Sequence, residues 1–235
     1  MVAGCGGSAP PVPPPPPPTD PKPPTMVGVP EDTTPTIVFL GTSLTAGFGL
    51  PSPSLAYPAL IQHKLDSLGL GYRVVNAGIS GETSAGALRR IDWALNHGNV
   101  AVLVVETGAN DGLRGQDPDS TRANIQAILD RAKALEPKPS LVLVGMEAMP
   151  NLGREYTERF RTIFPALAKT NDAALVPFLL AGVAGVDSLN QGDGIHPTPR
   201  GHEIVADNVW RVLEKVLAAR RGRPAVPNVR RRTGS

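Results

Sequence analysis

Five residues of this chain have the side chains or backbone geometry that acyl transfer requires. Ser43 is a candidate nucleophile, and His196 is a candidate general base with Asp193, three residues earlier, to orient its ring. The backbone N–H of Gly81 and the side-chain amide of Asn110 are candidate donors to the oxyanion that forms on an attacked carbonyl. Together these groups make up the set of roles that acyl transfer needs.

Each of these residues also has an ordinary structural explanation. A serine after a strand is commonly a helix N-cap, glycines form tight turns, and Asn-Asp-Gly favours an Asx turn. The loop around Ser43 lacks a lysine and a Gly-Lys-Ser/Thr sequence, which argues against phosphate binding. An Asp-x-x-His pair is also half of a metal site, but no further ligands occur at zinc-binding spacing. We therefore predict a site without a metal or cofactor.

The elements that must position these residues alternate along the chain between strands and helices. Apolar runs predict strands at 37–40, 72–77, 101–105, 141–145 and 174–176. Helical spacing predicts helices at 54–68, 83–95, 120–135, 153–169 and 199–218, with a kink or break at Pro165. This order predicts an α/β protein with a five-stranded, mostly parallel sheet covered on both faces. Sites in such sheets lie past the carboxyl ends of the strands, where the candidates fall.

Composition divides the chain into three parts. Residues 1–35 form a Pro-rich leader, since 12 of the 26 prolines fall within the first 30 residues. Residues 36–219 form the folded domain, and residues 220–235 form an Arg-rich tail that we expect to be disordered. Without the six arginines of the tail, 17 basic and 21 acidic residues remain, so we expect no nucleic-acid partner. The sequence makes no prediction about oligomeric state.

The segment Val2-Ala3-Gly4-Cys5 resembles the lipobox that precedes a lipid-modified cysteine in bacterial lipoproteins. A Pro-rich spacer follows it, as expected for a tether that holds a domain off a membrane. The interpretation predicts a periplasmic, cell-surface or secreted bacterial protein, lipid-anchored at Cys5. The alternative is a free thiol in a polar leader. A single cysteine excludes disulfide frameworks within the chain.

The motifs around the candidate residues resemble those of the SGNH (GDSL-type) hydrolase superfamily. Its four hallmark residues correspond, in order, to Ser43, Gly81, Asn110 and His196, and the resemblance covers residues 36–218. The segments around the last three are most similar to bacterial arylesterases, thioesterase I and lysophospholipase L1. The resemblance implies a flavodoxin-like three-layer α/β/α sandwich that hydrolyses small-molecule esters or thioesters without a metal ion.

The resemblance also implies a role for each residue. Ser43 attacks the carbonyl, His196 takes its proton, and Asp193 orients the imidazole. The N–H groups of Ser43 and Gly81 and the side chain of Asn110 form the oxyanion hole. The resemblance also implies the substrates, which are aryl esters or short- to medium-chain acyl esters, thioesters or lysophospholipids.

One position departs from the pattern of the superfamily. Its first block usually reads Gly-Asp-Ser-Leu, and here Thr42 stands in place of the aspartate. The nucleophile is kept, so we expect the reaction to be kept, with the loop geometry and the pH profile left open. Two alternatives are a carbohydrate O-acetylesterase of the same superfamily and a catalytically weak module that binds an acyl or glycan ligand.

Apolar residues near the carboxyl edge of the predicted sheet are candidates for an acyl pocket. Two long loops, 147–155 and 177–192, lie there, and a further apolar residue adjoins the candidate base. The candidates are Met146, Met149, Pro150, Phe178, Leu179 and Ile195.

The remaining histidines and one carboxylate receive structural interpretations. We expect surface positions for His63 and His97, and a packing or solvent-facing position for His202. Glu106 follows a predicted strand, and we expect it to be a buried, hydrogen-bonded carboxylate that is not a second catalytic acid.

Overall fold

The computed structural model describes Met1 and residues 33–222. Most of the predicted leader, including Cys5, and the tail beyond residue 222 lie outside the described residues. The first strand begins at Thr36, and the last helix ends at Arg221, two residues past the predicted boundary at 219. None of the helices in the described part is both long enough and apolar enough to span a membrane.

In the described residues, five parallel strands form one sheet. The strands are β1 (Thr36–Gly41), β2 (Arg73–Gly78), β3 (Val100–Val105), β4 (Ser140–Val144) and β5 (Ala174–Val176), in the spatial order β2-β1-β3-β4-β5. All four pairings are parallel. Every residue of β1 and β3 is buried, as their uninterrupted apolar runs predict for strands covered on both faces.

Helices cover this sheet and bury one common core. They are α1 (Ser43–Ala46), α2 (Tyr57–Ser67), α3 (Ser84–Arg89), α4 (Ile91–Leu95), α5 (Ala109–Leu113), α6 (Pro118–Lys133), α7 (Arg154–Thr170) and α8 (Pro199–Arg221). Helix α2 packs against α8, and α6 packs against α3, α4 and α7. Their buried apolar side chains join those of the strands in a single cluster. The predicted three-layer α/β/α architecture is confirmed.

Two helices differ from the sequence-based expectation. The segment predicted as one helix over 83–95 forms α3 and α4, which meet at Arg90. Helix α7 continues through Pro165, where a kink or break was expected. Its packing explains the continuity, because the residues around the proline, Phe160, Ile163, Phe164 and Leu167, are all buried.

Candidate active site

The carboxyl ends of three neighbouring strands meet beside Ser43. The N–H of Ile79, just after β2, donates to the carbonyl of Gly41 at 2.9 Å. The N–H of Glu106, just after β3, donates to the carbonyl of Leu40 at 2.8 Å. Because β1 lies between β2 and β3, the loops that follow these strands share one edge of the sheet. Ser43 is the first residue of α1, at the centre of this edge.

A buried carboxylate holds the turn that carries Ser43. Glu106 accepts hydrogen bonds from the Thr42 N–H at 2.9 Å, the Thr42 hydroxyl at 3.0 Å and the Thr45 hydroxyl at 2.8 Å. The Thr45 hydroxyl in turn accepts from the hydroxyl of Tyr57 at 2.7 Å, because its own proton is already donated. Ser43 therefore lies between two residues that are bonded to the same buried group.

Burial and hydrogen bonding act in opposite directions on Glu106. Its carboxylate is fully buried, and burial raises its pKa above the ordinary value, while hydrogen bonds from Thr42 and Thr45 oppose that shift. No cation contacts it within the described residues. The expectation of a buried, hydrogen-bonded carboxylate agrees with this geometry, and Thr42 proves to be one of its donors.

The turn around Ser43 requires glycine at position 41. A Cβ atom there would lie 2.0 Å from the Thr45 hydroxyl oxygen and 2.8 Å from a carboxylate oxygen of Glu106. Both atoms belong to the hydrogen-bonded group under the nucleophile, so a side chain at Gly41 would displace it.

The loop 191–198 presents Asp193 and His196 on one turn at the surface. One Asp193 oxygen accepts from the N–H groups of Ile195 and His196 at 2.9 and 3.0 Å. The other lies 2.6 Å from His196 Nδ1. These hydrogen bonds to His196 and Ile195 hold the pKa of Asp193 well below its ordinary value. The ionised carboxylate fixes the ring proton on Nδ1, which leaves Nε2 free to accept a proton.

The structure brings Ser43 and His196 together although 153 residues separate them. His196 Nε2 lies 2.9 Å from Ser43 Oγ, and the ring is mostly buried while Asp193 is exposed. With the ring proton on Nδ1, the Ser43 hydroxyl donates to Nε2. The three residues therefore form a continuous chain from nucleophile to base to carboxylate, the geometry needed to deprotonate a serine as it attacks.

The loops that follow β2 and β3 carry the candidate oxyanion donors Gly81 and Asn110. Gly81 has a left-handed backbone with φ of 77°, and its N–H and that of Ser43 donate to no acceptor among residues 33–222. Asn110 gives one amide hydrogen to the carbonyl of Glu82 at 2.9 Å and keeps the second. Buried Asp111, next to Asn110, accepts from the N–H of Ser84 at 2.8 Å and from its hydroxyl.

The predicted pocket residues fall into two groups. Leu179 is fully buried and Met146 nearly so, and therefore both belong to the core and offer no surface to a ligand. The side chains of Met149, Pro150 and Ile195 are exposed, and that of Phe178 is partly buried. The period-two alternation of exposure in strands does not extend into loops, so the sequence alone could not separate the two groups.

An aromatic residue that the sequence pattern did not single out contacts the candidate base. The Phe48 ring centroid lies 4.7 Å from that of His196, and half of the Phe48 side chain is exposed. The Gln191 side chain donates to the carbonyls of Phe48 and Pro197 at 2.8 and 3.0 Å, which joins this loop to the loop of His196. An exposed aromatic five residues after the candidate nucleophile was the available signal.

The remaining histidines make no hydrogen bond to Ser43, whose base is His196, in the described part of the chain. His63 is exposed, and His97 packs its ring against Trp93 at 4.9 Å. His202 is buried, and its Nδ1 accepts the N–H of Tyr57 at 3.2 Å. Burial lowers the pKa of His202 to about 4, with a smaller contribution from His196.

No cluster of three or more metal-ligating side chains occurs among residues 33–222. The groups that nucleophilic catalysis by a serine needs are present in the hydrogen-bonded residues Ser43, His196 and Asp193.

Comparison with known proteins gives concordant similarities. Residues 39–204 match the model of the GDSL-like Lipase/Acylhydrolase family. The chain is 41% identical to the esterase TesA of Pseudomonas aeruginosa over 182 residues, which cover 77% of this chain and 89% of that protein. It is 38% identical to the thioesterase 1/protease 1/lysophospholipase L1 of Escherichia coli K12, over 77% of this chain and 85% of that protein. A crystal structure of TesA superposes with a TM-score of 0.73 at 40% identity, over 77% of this chain and 99% of that one.

Proposed function

The chain belongs to the GDSL-like lipase/acylhydrolase family and is a carboxylic ester hydrolase, and from this premise we propose that it acts through an acyl-enzyme on Ser43. The observation that carries the proposal is the continuous hydrogen-bonded chain from Ser43 Oγ to His196 Nε2 and from His196 Nδ1 to Asp193. A lone N-cap serine would need neither partner.

The proposed reaction has two halves. Ser43 Oγ attacks the carbonyl carbon while His196 Nε2 takes the hydroxyl proton, and a tetrahedral oxyanion forms. When the ester C–O bond breaks, His196 gives that proton to the departing alkoxide and leaves an acyl group on Ser43. Water then attacks the acyl-enzyme, His196 takes the proton of the water, and the carboxylic acid departs as Ser43 regains its proton.

The protein supplies groups for each charge that develops. The Ser43 and Gly81 N–H groups and the second amide hydrogen of Asn110 are the proposed oxyanion donors. Removal of one such donor typically slows an enzyme by ~10²–10³-fold. The ionised Asp193 stabilises the imidazolium that forms on His196.

Apolar side chains around the site support an apolar acyl or aryl group in the substrate. Phe48 contacts the base, Ile195 precedes it in sequence, and Ile79 lies two residues before Gly81; all three side chains are substantially exposed. Met149 and Pro150, also exposed, remain candidates for the acyl pocket. Large exposed apolar residues in loops around a reactive group favour an apolar ligand.

Ser43→Ala tests the proposed nucleophile. We expect hydrolysis of a p-nitrophenyl ester to fall to near background, and a fluorophosphonate probe to leave the variant unlabelled, because Ser43 is the serine that hydrogen-bonds His196 Nε2. Ser67→Ala is the matched control, since Ser67 is exposed and bonds only its own helix. Hydrolysis by Ser43→Ala at a rate near that of the unmodified protein would refute the assignment.

A panel of substrates tests the substrate class. We expect medium-chain p-nitrophenyl esters and acyl thioesters to be better substrates than acetylated xylan, because the exposed groups beside the site are apolar. A clear preference for acetylated polysaccharide would instead favour the carbohydrate O-acetylesterase.

The lipid anchor at Cys5 is a separate proposal about location outside the cytoplasm. The support is the Val-Ala-Gly-Cys segment with its Pro-rich spacer, together with relatives that come from bacteria. Expressed in a bacterium with a fatty-acid label, the protein should carry the label and sediment with membranes. The variant Cys5→Ser should lose both properties, and an unlabelled parent protein would contradict the proposal.

A further inference from the structure

We propose that Arg90 and Glu82 form a positioning pair that sets the spacing of the three oxyanion donors. The inference rests on the proposed function, because it concerns how that function is assembled. Neither residue is proposed to touch the substrate, and both act through the loops that carry Ser43, Gly81 and Asn110.

Arg90 joins the loop that carries Gly81 to the loop that carries Ser43. It lies at the junction of α3 and α4, and its Nε is 2.8 Å from both carboxylate oxygens of Glu82. Its Nη2 donates to the Glu82 carboxylate and, at 3.2 Å, to the main-chain carbonyl of Gly41. Gly41 is two residues before Ser43, so one guanidinium holds both loops.

Glu82 joins the loop that carries Gly81 to the loop that carries Asn110. It directly follows Gly81, and its carbonyl accepts the amide hydrogen bond of Asn110 at 2.9 Å. The carboxylate end of Glu82 therefore bonds Arg90 while its main-chain end bonds Asn110. A shift of Glu82 would move the Gly81 N–H and the Asn110 amide together, relative to Ser43.

The pair is placed where solvent competes little with it. The side chains of Arg90 and Glu82 are 14% and 11% exposed, and Nη1 of Arg90 is buried with no hydrogen-bond partner among the described residues. A bidentate guanidinium–carboxylate contact fixes orientation as well as distance. Because the pair is mostly shielded from solvent, water and salt screen it less than they screen an exposed ion pair.

A glycine admits the Glu82 side chain to this position. A Cβ atom on Gly86 would lie 2.5 Å from Glu82 Cγ and 3.2 Å from its carboxyl carbon. Glu82 therefore folds back over α3 toward Arg90. The backbone of α3 thus leaves room for an ion pair that reaches two neighbouring loops.

Arg90→Met tests the positioning role. We expect kcat to fall about 10²-fold because displaced oxyanion donors stabilise the transition state less well. We expect KM to stay within about threefold, because ground-state binding uses other groups. Arg90→Lys keeps the charge without the bidentate geometry, so its kcat should lie between those of Arg90→Met and the unmodified protein. The endpoint of fluorophosphonate labelling counts folded sites, so each kcat is expressed per labelled site and a folding defect is removed from the comparison.

A double-mutant cycle distinguishes one unit from two separate contributions. Glu82→Gln should lower kcat to a similar extent, and the double variant Arg90→Met/Glu82→Gln should be about as slow as the slower single variant. Additive losses in kcat, an unchanged kcat per labelled site or a loss confined to KM would each overturn the inference.

The matched control is a second arginine–carboxylate pair, which joins α6 to α4. Nη1 of Arg131 contacts both oxygens of Asp92 at 3.0 and 2.7 Å. That pair is exposed, and its hydrogen bonds do not involve the loops that carry Ser43, Gly81 and Asn110. Arg131→Met should therefore leave kcat unchanged. If Ser43→Ala keeps full activity, the proposed function fails. If Ser43→Ala is inactive while Arg90→Met matches the unmodified protein, only this inference fails.

Discussion

The nucleophile and the base of this site are held by carboxylates in opposite surroundings. Glu106 is buried and bonds residues 61 and 64 positions earlier in the chain. Asp193 is at the surface and bonds residues two and three positions later. Burial raises the pKa of Glu106, whereas hydrogen bonds lower that of Asp193. The position of Ser43 therefore depends on the packed core, while the orientation of His196 is a property of one local turn.

The largest expected effect that tests this comparison is the loss of activity in Asp193→Asn. We expect kcat/KM to fall by about 10⁴-fold, because the imidazole of His196 loses the partner that selects its tautomer. The free energy of unfolding should change by less than about 1 kcal/mol, since the side chain lies at the surface and is 40% exposed. Ester hydrolysis and urea unfolding measure the two quantities. A large loss of stability would contradict the view that this turn is only local.

Glu106→Ala should show the opposite balance. Loss of the buried acceptor leaves the donors on Thr42 and Thr45 unpaired, and we expect a loss of about 3 kcal/mol in the free energy of unfolding. The displaced turn at Ser43 should also lower kcat about 10²-fold. Glu106→Gln keeps an acceptor and should recover most of both losses. If Glu106→Ala is as stable as the parent, the turn does not depend on this group.

The buried imidazole of His202 should make the stability of the folded core depend on pH. Its ordinary pKa is 6.5 and its folded pKa is about 4, so the unfolded state binds more protons between these values. Stability should fall as pH drops through this window, by at most about 3 kcal/mol. Protonation also removes the Nδ1 acceptor of the Tyr57 N–H.

Urea unfolding at a series of pH values measures this effect. His202→Gln should flatten the dependence between pH 6.5 and 4, because it removes the titrating group. The exposed His63→Gln is the control. An equal slope in His202→Gln and in the parent protein would argue against the buried, neutral imidazole.

The smallest expected effect concerns the pH dependence of stability, to which the two carboxylates should contribute slopes of opposite sign. The folded pKa of Glu106 lies above its ordinary 4.5, so its contribution to stability falls as pH rises above that value. The folded pKa of Asp193 lies below its ordinary 3.8, so its contribution is present above 3.8 and is lost as pH falls. Unfolding of Glu106→Gln and Asp193→Asn, each compared with the parent from pH 3 to 7, should reveal opposite slopes. Slopes of the same sign would refute the contrast.

Elements that depend on local pattern were predictable, and those that depend on packing were not. The five apolar runs predicted both ends of all five strands to within one residue. The split between α3 and α4 was missed because Arg90, which separates them with φ of −113° and ψ of 10°, gives no local sequence signal, and its side chain bonds Glu82 and Gly41. Leu179 and Phe48 have similar apolar side chains in loops, yet one is buried and the other half exposed.

What the sequence alone determined is the order and type of the elements and the local turn of Asp193 and His196. Strand runs, helix periods and an Asp-x-x-His turn all act over a few residues, so their physics is visible in the chain. Only the tertiary structure decided that Ser43 lies 2.9 Å from His196 Nε2, and that Glu106 and Arg90 hold the loops around it. Those contacts join residues 49 to 153 positions apart, and only the packing of the parallel sheet brings such residues together.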